Sequence, residues 1–277
     1  MIIDDFIRRS LQEDVGDGDH TSNACIPEDA EGRARMIVKE DGVIAGLELA
    51  EQIFYHVDSS LRVKLMVADG QRVKTGEIVL MVSGRARSIL MAERLVLNCA
   101  QRMSGIATLT RSIVDTLHGL PTKVLDTRKT TPGLRFLEKL AVQMGGGVNH
   151  RFGLYDMIMI KDNHIDYAGG IEAAIRMADE YRKNNQLSVK LEVEARNLEE
   201  LDSILRVGLI DRIMLDNFSY PDLRKAVQLI GDKYQTEASG GITIETARSY
   251  AECGVDYLSV GALTHSAKSL DISLKAY

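Results

Sequence analysis

The sequence predicts an α/β protein: an N-terminal α+β sandwich-like domain followed by an incomplete parallel α/β barrel. Three observations carry this reading. From Lys123 onward, six short apolar runs (KVLDTRKT, MIMIKDNH, VKLEVEAR, RIMLDNF, QTEASGGI and YLSVGAL) each end in a polar cluster and lead into a helical stretch. The last four begin at Val189, Arg212, Gln235 and Tyr257, a spacing of 22 to 23 residues, which is enough for a buried strand, a helix and two short loops. Residues 1–105 lack this rhythm and show strand-like runs broken by DG, TG and SG turns.

Taken in order, the chain opens with a helix over Asp4–Glu13, followed by strands in RARMIVKE, RVKLMVAD and EIVLMVSG. Ser88–Met103 reads as a helix whose apolar stripe is Ile89, Ala92, Val96, Cys99 and Met103, with Arg94, Asn98 and Arg102 on another face and Ser104-Gly105 as its stop. The domains are then 1–105 (α+β), 106–265 (barrel) and 266–277, a C-terminal segment expected to pack back on the first. Between barrel strands the helices are amphipathic: in NLEELDSILRVG the apolar positions are Leu198, Leu201, Ile204 and Leu205, and Gly208 is the stop. Six strands leave the barrel open, unless others lie between Gly105 and Leu120.

Composition bounds the function. The 277 residues are 45% hydrophobic and 27% charged, as in folded globular proteins, and the net charge of −6 argues against nucleic acid or an anionic membrane as partner. The opening MIIDDFIRRS has acids and arginines where a secretion signal needs an apolar run, and no apolar stretch approaches transmembrane length. Three scattered cysteines (Cys25, Cys99, Cys253) fit neither a zinc site nor a disulfide framework, so a reducing, cytoplasmic setting is expected.

In a parallel barrel, reactive groups stand at the carboxyl ends of the strands, so the polar ends of the six runs are expected to converge. These ends supply Asp126, Arg128 and Lys129; Lys161, Asp162, Asn163 and His164; Glu192 and Glu194; Asp216 and Asn217; Ser239, Gly240 and Gly241; and Gly261. Arg128, Lys129, His150, Arg151 and Lys161 form a cationic set within a net-acidic protein and imply a strongly anionic ligand. Ser239-Gly240-Gly241 and Gly261-Ala262 suit a phosphate cradle, with ITIETA opening a helix toward the anion and His265 nearby. Glu194 and Asp216 suit either a hard divalent cation such as Mg²⁺ or a positive charge developing on a sugar.

The segments ERLVLNCAQRMSGIAT, DTRKTTPG, GGGVNHRFGLYD, KDNH, EVE, LDNF, EASGGI and SVGALTHS, with the early EDVGDGDHTS, resemble in content and order the quinolinate phosphoribosyltransferases. The resemblance spans nearly the whole chain. It implies transfer of a ribosyl 5-phosphate from phosphoribosyl pyrophosphate to the ring nitrogen of quinolinate, with loss of CO₂, giving nicotinate mononucleotide for NAD biosynthesis. By this resemblance Arg102, Arg128, His150, Arg151 and Lys161 bind quinolinate, and Lys129 and Lys161 lie near the donor. Glu194 and Asp216 hold the donor ribose or its Mg²⁺; Ser239, Gly240, Gly241, Gly261 and Ala262 take the 5-phosphate; and Thr127 and Val260 complete the substrate contacts. Lys129, Lys161, Glu194 and Asp216 form the catalytic set. The spacing leaves open which of Glu192 and Glu194 faces the site. Arg102 comes from a partner subunit, which implies a homodimer with a shared active site and leaves a hexamer open.

Two other readings fit parts of the chain. A Schiff-base barrel enzyme needs a desolvated lysine, with Lys161 or Lys190 as candidate. The stretch DGQRVKTGEIVLMVSG, Asp69–Gly84, resembles the hairpin of a lipoyl or biotinyl carrier, but no lysine follows Ile78 in VLMVSGRARSIL.

Overall fold

A computed structural model describes residues 2–277, which fall into two compact units. The first contains the chain up to Leu109, together with Gln143–Gly146 and Ala267–Tyr277; the second contains Thr110–Val142 and Gly147–Ser266.

The first unit begins with α1 (Ile2–Val15) and α2 (His20–Cys25), the latter capped by the Asp19 side chain on the Ser22 N–H. There follow β1 (Glu31–Val38), the two-residue β2 (Gly42–Val43), α3 (Leu47–Val57), β3 (Arg62–Leu65), the short β4 (Arg72–Val73) and β5 (Ile78–Arg85). Strands β1, β5 and β3 pair antiparallel, and β2 pairs with β4. Alternation along β1 buries Ala34, Met36 and Val38, which share a core with Leu80 and Val82 of β5 and Ile53 and Phe54 of α3. Helix α3, absent from the sequence reading, has its amino end held by Asp69, whose carboxylate accepts from the Leu47 and Glu48 N–H groups. The Asp69–Gly84 stretch is therefore part of this scaffold, with Thr75-Gly76 as the turn between β4 and β5.

Helix α4 runs over Ala86–Thr116, 31 residues, well past the stop expected at Ser104-Gly105. Its predicted stripe is buried throughout, from Ile89 to Met103. The expected stop fails because these two residues do other work. The Ser104 hydroxyl is spent on a neighbouring loop, accepting from Ala45 N–H at 2.9 Å, and Gly105 is a point of close approach. A Cβ on Gly105 would lie 1.8 Å from the carbonyl oxygen of Lys268. The unit boundary accordingly falls within the helix, at Leu109, rather than at Gly105. Arg102 lies mid-helix rather than at its end, and its Nη1 donates to the carbonyl of Ala267 at 2.8 Å.

The second unit alternates strand and helix. In order it contains β6 (Lys123–Leu125), α5 (Arg135–Met144), β7 (Met157–Ile160), α6 (Asp162–Ala168), α7 (Ile171–Asn184), β8 (Lys190–Ala195), α8 (Leu198–Val207), β9 (Arg212–Asp216), α9 (Tyr220–Ile230), β10 (Gln235–Ser239), α10 (Ala247–Ala251), β11 (Tyr257–Ser259) and α11 (Ala262–His265). The six strands are the six predicted runs, all parallel, in the order β6-β11-β10-β9-β8-β7. The barrel stays open because residues up to Thr116 are helical, so no strand comes from the Gly105–Leu120 stretch. A single bridge from Val148 to Leu125 extends the β6 edge. Helix α8 buries Leu201 and Ile204 and ends at Gly208. The chain returns to the first unit with β12 (Ile272–Ala276), which pairs antiparallel with β1 and gives the sheet order β12-β1-β5-β3.

Gly105→Ala is expected to destabilise the protein. The methyl gains under ~1 kcal/mol of helix propensity, against roughly 1–3 kcal/mol for overpacking a rigid contact. The midpoint of urea denaturation, with Gln228→Ala on the exposed face of α9 as control, measures the difference.

Candidate active site

Parallel strands viewed from their carboxyl ends present alternate residues to the barrel interior. Met159, Glu194, Met214, Ser239 and Ser259 fall on inward positions, while Leu191, Val193, Ile213 and Leu215 are buried on the other face. A solvent-open cavity of about 560 Å³ forms at this end, lined by Thr127, Arg128, Lys129, His150, Arg151, Met159, Lys161, Met214, Glu237, Ser239 and Ser259. The five predicted cationic residues thus meet in one cavity, although they come from three segments.

The segment that brings His150 and Arg151 to the cavity is anchored from the side. Asp126 at the end of β6 is fully buried; its Oδ1 accepts from the His150 N–H at 2.8 Å and is paired with Lys139 of α5. The Lys139 ammonium also donates to the His150 carbonyl at 3.0 Å. With its amide turned to satisfy its neighbours, Asn149 donates to Asp126 Oδ2 at 2.6 Å. Burial raises the Asp126 pKa and lowers that of Lys139, and each partner's charge opposes the change. Asp126, grouped by sequence with the strand-end residues, is therefore a support at the side of the site, between β6 and α5.

Within the cavity the cations crowd one another. Arg151 is pulled below the usual arginine range by burial and by the neighbouring Arg128, and Arg128 Nε is buried without a hydrogen-bond partner among the described residues. Such an arrangement calls for an anion. Lys161 closes β7, and its Nζ lies 3.2 Å from Glu194 Oε2. Burial raises the Glu194 pKa; Lys161 opposes this, and the Asp216 charge adds to it. Asp216, at the end of β9, pairs in register with Ser239 and accepts from Asn217 Nδ2 at 2.6 Å.

The structure separates Glu192 from Glu194. Glu192 sits one inward step deeper, fully buried, with its Oε2 3.1 Å from His150 Nε2. Glu237 Oε2 lies 3.3 Å from the same nitrogen and 3.0 Å from Arg212 Nη1, and the Arg212 guanidinium stacks 4.2 Å from the Tyr257 ring centre. Met159, Met214, Glu237 and Ser259 were not singled out from sequence. A signal existed for all four: each stands two residues before a strand-end candidate (Lys161, Asp216, Ser239, Gly261), hence on the same inward face.

The glycine strand ends are built for close approach. Gly240 has φ +109°, and a Cβ there would lie 2.1 Å from Asn217 Oδ1, whereas a Cβ on Gly241 would meet nothing within 4 Å. A Cβ on Gly261 would come within 3.1 Å of Lys129 Cδ, and Thr264 Oγ1 donates to the Lys129 carbonyl at 2.9 Å, so this loop holds Lys129 in place. One expectation is corrected. ITIETA does not open a helix at Gly241: Thr243–Thr246 form a turn in which Thr246 Oγ1 takes the Thr243 N–H, and α10 starts only at Ala247. Val260 is buried and its N–H bonds to the Leu125 carbonyl, so it serves the sheet and offers a ligand no side chain. His265 contacts the Ser266 hydroxyl at 2.7 Å.

Two donor sets bear on metal binding. The ligand atoms of His150, Glu192 and Glu237 lie within 4.8 Å of one another, but Arg212 already supplies positive charge to Glu237. Glu194 and Asp216 are hard oxygen donors at adjacent strand ends with only Lys161 between them in charge, so they suit a hard divalent cation. The Schiff-base reading is not supported. Lys161 is ion-paired and nearly half exposed, and Lys190 is exposed at the opposite end of its strand, near Gln235.

Comparison with known proteins adds the family. The C-terminal domain model of quinolinate phosphoribosyl transferase matches residues 106–275, and the N-terminal domain model matches 19–104. The chain is 49% identical to quinolinate phosphoribosyltransferase (decarboxylating) 1b of Nicotiana tabacum, over 97% of this chain and 81% of that protein. It is 45% identical to a probable nicotinate-nucleotide pyrophosphorylase (carboxylating) of Bacillus subtilis, over 95% and 89%. The crystal structure of NadC from Streptococcus pyogenes superposes with a TM-score of 0.93 at 41% identity, covering 99% of this chain and 95% of that one.

Lys139→Met should destabilise the protein by about 3–5 kcal/mol, the usual cost of leaving one member of a buried ion pair uncompensated. Lys139→Met combined with Asp126→Asn should recover part of that loss, which a double-mutant cycle by urea denaturation measures.

Proposed function

We propose, from the premise that the chain belongs to the quinolinate phosphoribosyltransferase family, an assignment of its cavity residues to the two substrates of that reaction. The enzyme joins quinolinate to phosphoribosyl pyrophosphate and releases nicotinate mononucleotide, pyrophosphate and CO₂. The observation that carries the assignment is the convergence of Arg128, Lys129, His150, Arg151 and Lys161 on one cavity of a net-acidic protein. Quinolinate is a dianion with adjacent carboxylates, and the guanidiniums of Arg128 and Arg151 match it by bidentate hydrogen bonding. Thr127 adds a hydroxyl at the cavity wall.

The donor lies toward the glycine strand ends. Ser239, Gly240, Gly241, Gly261 and Ala262 receive its 5-phosphate, because glycine at these positions lets an oxyanion approach the backbone. Lys129 and Lys161 stand between the two subsites and take up negative charge on the departing pyrophosphate. As the bond from C1 to pyrophosphate breaks and the bond from C1 to the ring nitrogen forms, the sugar becomes cationic, and the Glu194 and Asp216 carboxylates stabilise it. Mg²⁺, which Glu194 and Asp216 would hold together with donor oxygens, supplies further neutralisation of the leaving group. The ribosylated ring nitrogen is positive and stabilises the electron pair left at C2 when the C2–carboxylate bond breaks and CO₂ departs; a proton then bonds to C2 to give nicotinate mononucleotide, so no organic cofactor is needed.

Arg102 is assigned to the quinolinate of a neighbouring subunit, which makes the enzyme a homodimer with shared sites. Its place on the half-buried face of α4, away from the apolar stripe, supports this. A cytoplasmic location belongs to the same proposal and is supported by three unpaired cysteines.

Release of CO₂ and pyrophosphate from quinolinate plus phosphoribosyl pyrophosphate tests the activity; equal use of nicotinate would contradict it. Asp216→Asn should lower turnover about a hundredfold, roughly 3 kcal/mol of barrier, and blunt the Mg²⁺ response while sparing quinolinate affinity in calorimetry. Arg102→Ala and Lys161→Ala should each be nearly inactive, yet mixing them should restore about one quarter of wild-type sites, since half of the reassorted dimers carry one intact site of two. Exchange demonstrated by mass spectrometry without recovered activity would place Arg102 in its own subunit's site.

A further inference from the structure

Beneath the cavity lies a layer of charge that the reaction scheme leaves unused. His150 faces Glu192 from β8 and Glu237 from β10, and Glu237 is shared with Arg212 from β9, itself stacked on Tyr257 from β11. From the remaining sides, Asp126 of β6 and Lys139 of α5 contact the His150 backbone, and Arg151 follows it in sequence. Asp126 and Lys139 neutralise each other. That leaves two fully buried carboxylates facing one ring nitrogen, with Arg212 bound to Glu237 and the Arg151 charge acting on Glu192 from the cavity side.

Two carboxylates on one nitrogen bear on the state of the ring: both Glu192 and Glu237 face Nε2, and a neutral ring can donate from it to only one of them. On the other side Arg151 N–H lies 2.6 Å from His150 Nδ1, a contact that suits a neutral ring protonated on Nε2, so the two sides of the ring pull in opposite directions. Neither Glu192 oxygen has a directed hydrogen-bond partner among the described residues, so these groups are held by charge. Burial pulls the His150 pKa down, but the two carboxylates outweigh it and lift it to about 9, while burial and the Glu237 charge push Glu192 up to about 7, so above that pH both carboxylates are ionised around the ring.

We propose that Glu237 is a positioning residue for the reaction: with Glu192 and Arg212 it holds the His150 ring as a cation at the floor of the quinolinate subsite. The proposal rests on the reading of this cavity as the quinolinate site. Glu237 lines the cavity beside the ring. It acts through the imidazolium, whose positive charge adds to that of Arg151 and Arg128 against a dianion.

The test reads quinolinate KM and kcat against pH for the wild type and for Glu237→Gln. In the wild type the ring stays charged up to about pH 9, so KM should be nearly flat from about pH 7, above which Glu192 is ionised, to about pH 9. In Glu237→Gln the ring loses a counter-charge but keeps its burial, so its proton leaves at lower pH. KM should then climb by up to about tenfold per pH unit above the new pKa, with kcat at saturating quinolinate much less affected. Glu237→Asp should restore part of the flat profile. Should Glu237→Gln fail to fold, imidazole ¹⁵N shifts of wild-type His150, assigned with His150→Asn, give the ring state directly. A doubly protonated ring at pH 7.5 is expected; a neutral ring protonated on Nε2 would overturn the proposal, as would a folded Glu237→Gln enzyme with the wild-type profile. Arg128→Ala is the control for the underlying reading. If it leaves quinolinate KM unchanged, the cavity is not the quinolinate site; if KM rises while the Glu237→Gln profile stays flat, only the role of Glu237 fails.

Discussion

Asp126 is fully buried at the end of the first barrel strand, and the placement of the anion-binding groups follows from the way its charge is satisfied. A carboxylate there is tolerable only with a cation and directed donors. Lys139 supplies the cation, and the His150 N–H and Asn149 amide supply the donors. The loop carrying His150 and Arg151 is therefore locked to β6 and α5 by a need to pair charge, a stronger constraint than a surface loop ordinarily has. The magnitude decides the matter: several kilocalories for an unpaired buried charge exceed the loop's conformational entropy per residue, about 1–2 kcal/mol.

The charges of the second unit are layered. Between β6 and α5 Asp126 and Lys139 cancel. Deeper along the strands Glu192, Glu237, Arg212 and His150 form a second group, and at the open end Arg128, Lys129, Arg151 and Lys161 line the cavity with Glu194 and Asp216 as the opposing acids. Burial falls from base to mouth, and so does the degree to which charge is already balanced within the protein. The groups left unbalanced are cationic and open to anions, although the chain as a whole is net acidic.

Glycine makes the same point at two sites for different reasons. At Gly240 the backbone is left-handed and Asn217 fills the space a side chain would need, so the strand end stays low and exposed. At Gly105 the conformation is ordinary helix, and the constraint is the Lys268 carbonyl pressed against the Cα. Local propensity identifies the first kind of glycine; the second is visible only through its neighbour.

Much of the molecule was legible in the sequence. The six parallel strands follow from short apolar runs at near-constant spacing, and the stripe on α4 from helical periodicity, because both are local patterns set by burial of one face. The cationic set was legible too, since strand ends in a parallel barrel must converge. What the sequence could not determine were relations between distant residues. The continuation of α4 through Ser104-Gly105 depended on Ala45 and Lys268, the choice between Glu192 and Glu194 on which carboxylate met His150 and which met Lys161, and the burial of Asp126 on Lys139 and Asn149. Local sequence determined which residues could be strand, helix or strand end; tertiary structure decided which charges had to neutralise one another, because pairing energies depend on distance and burial that exist only once the chain is folded.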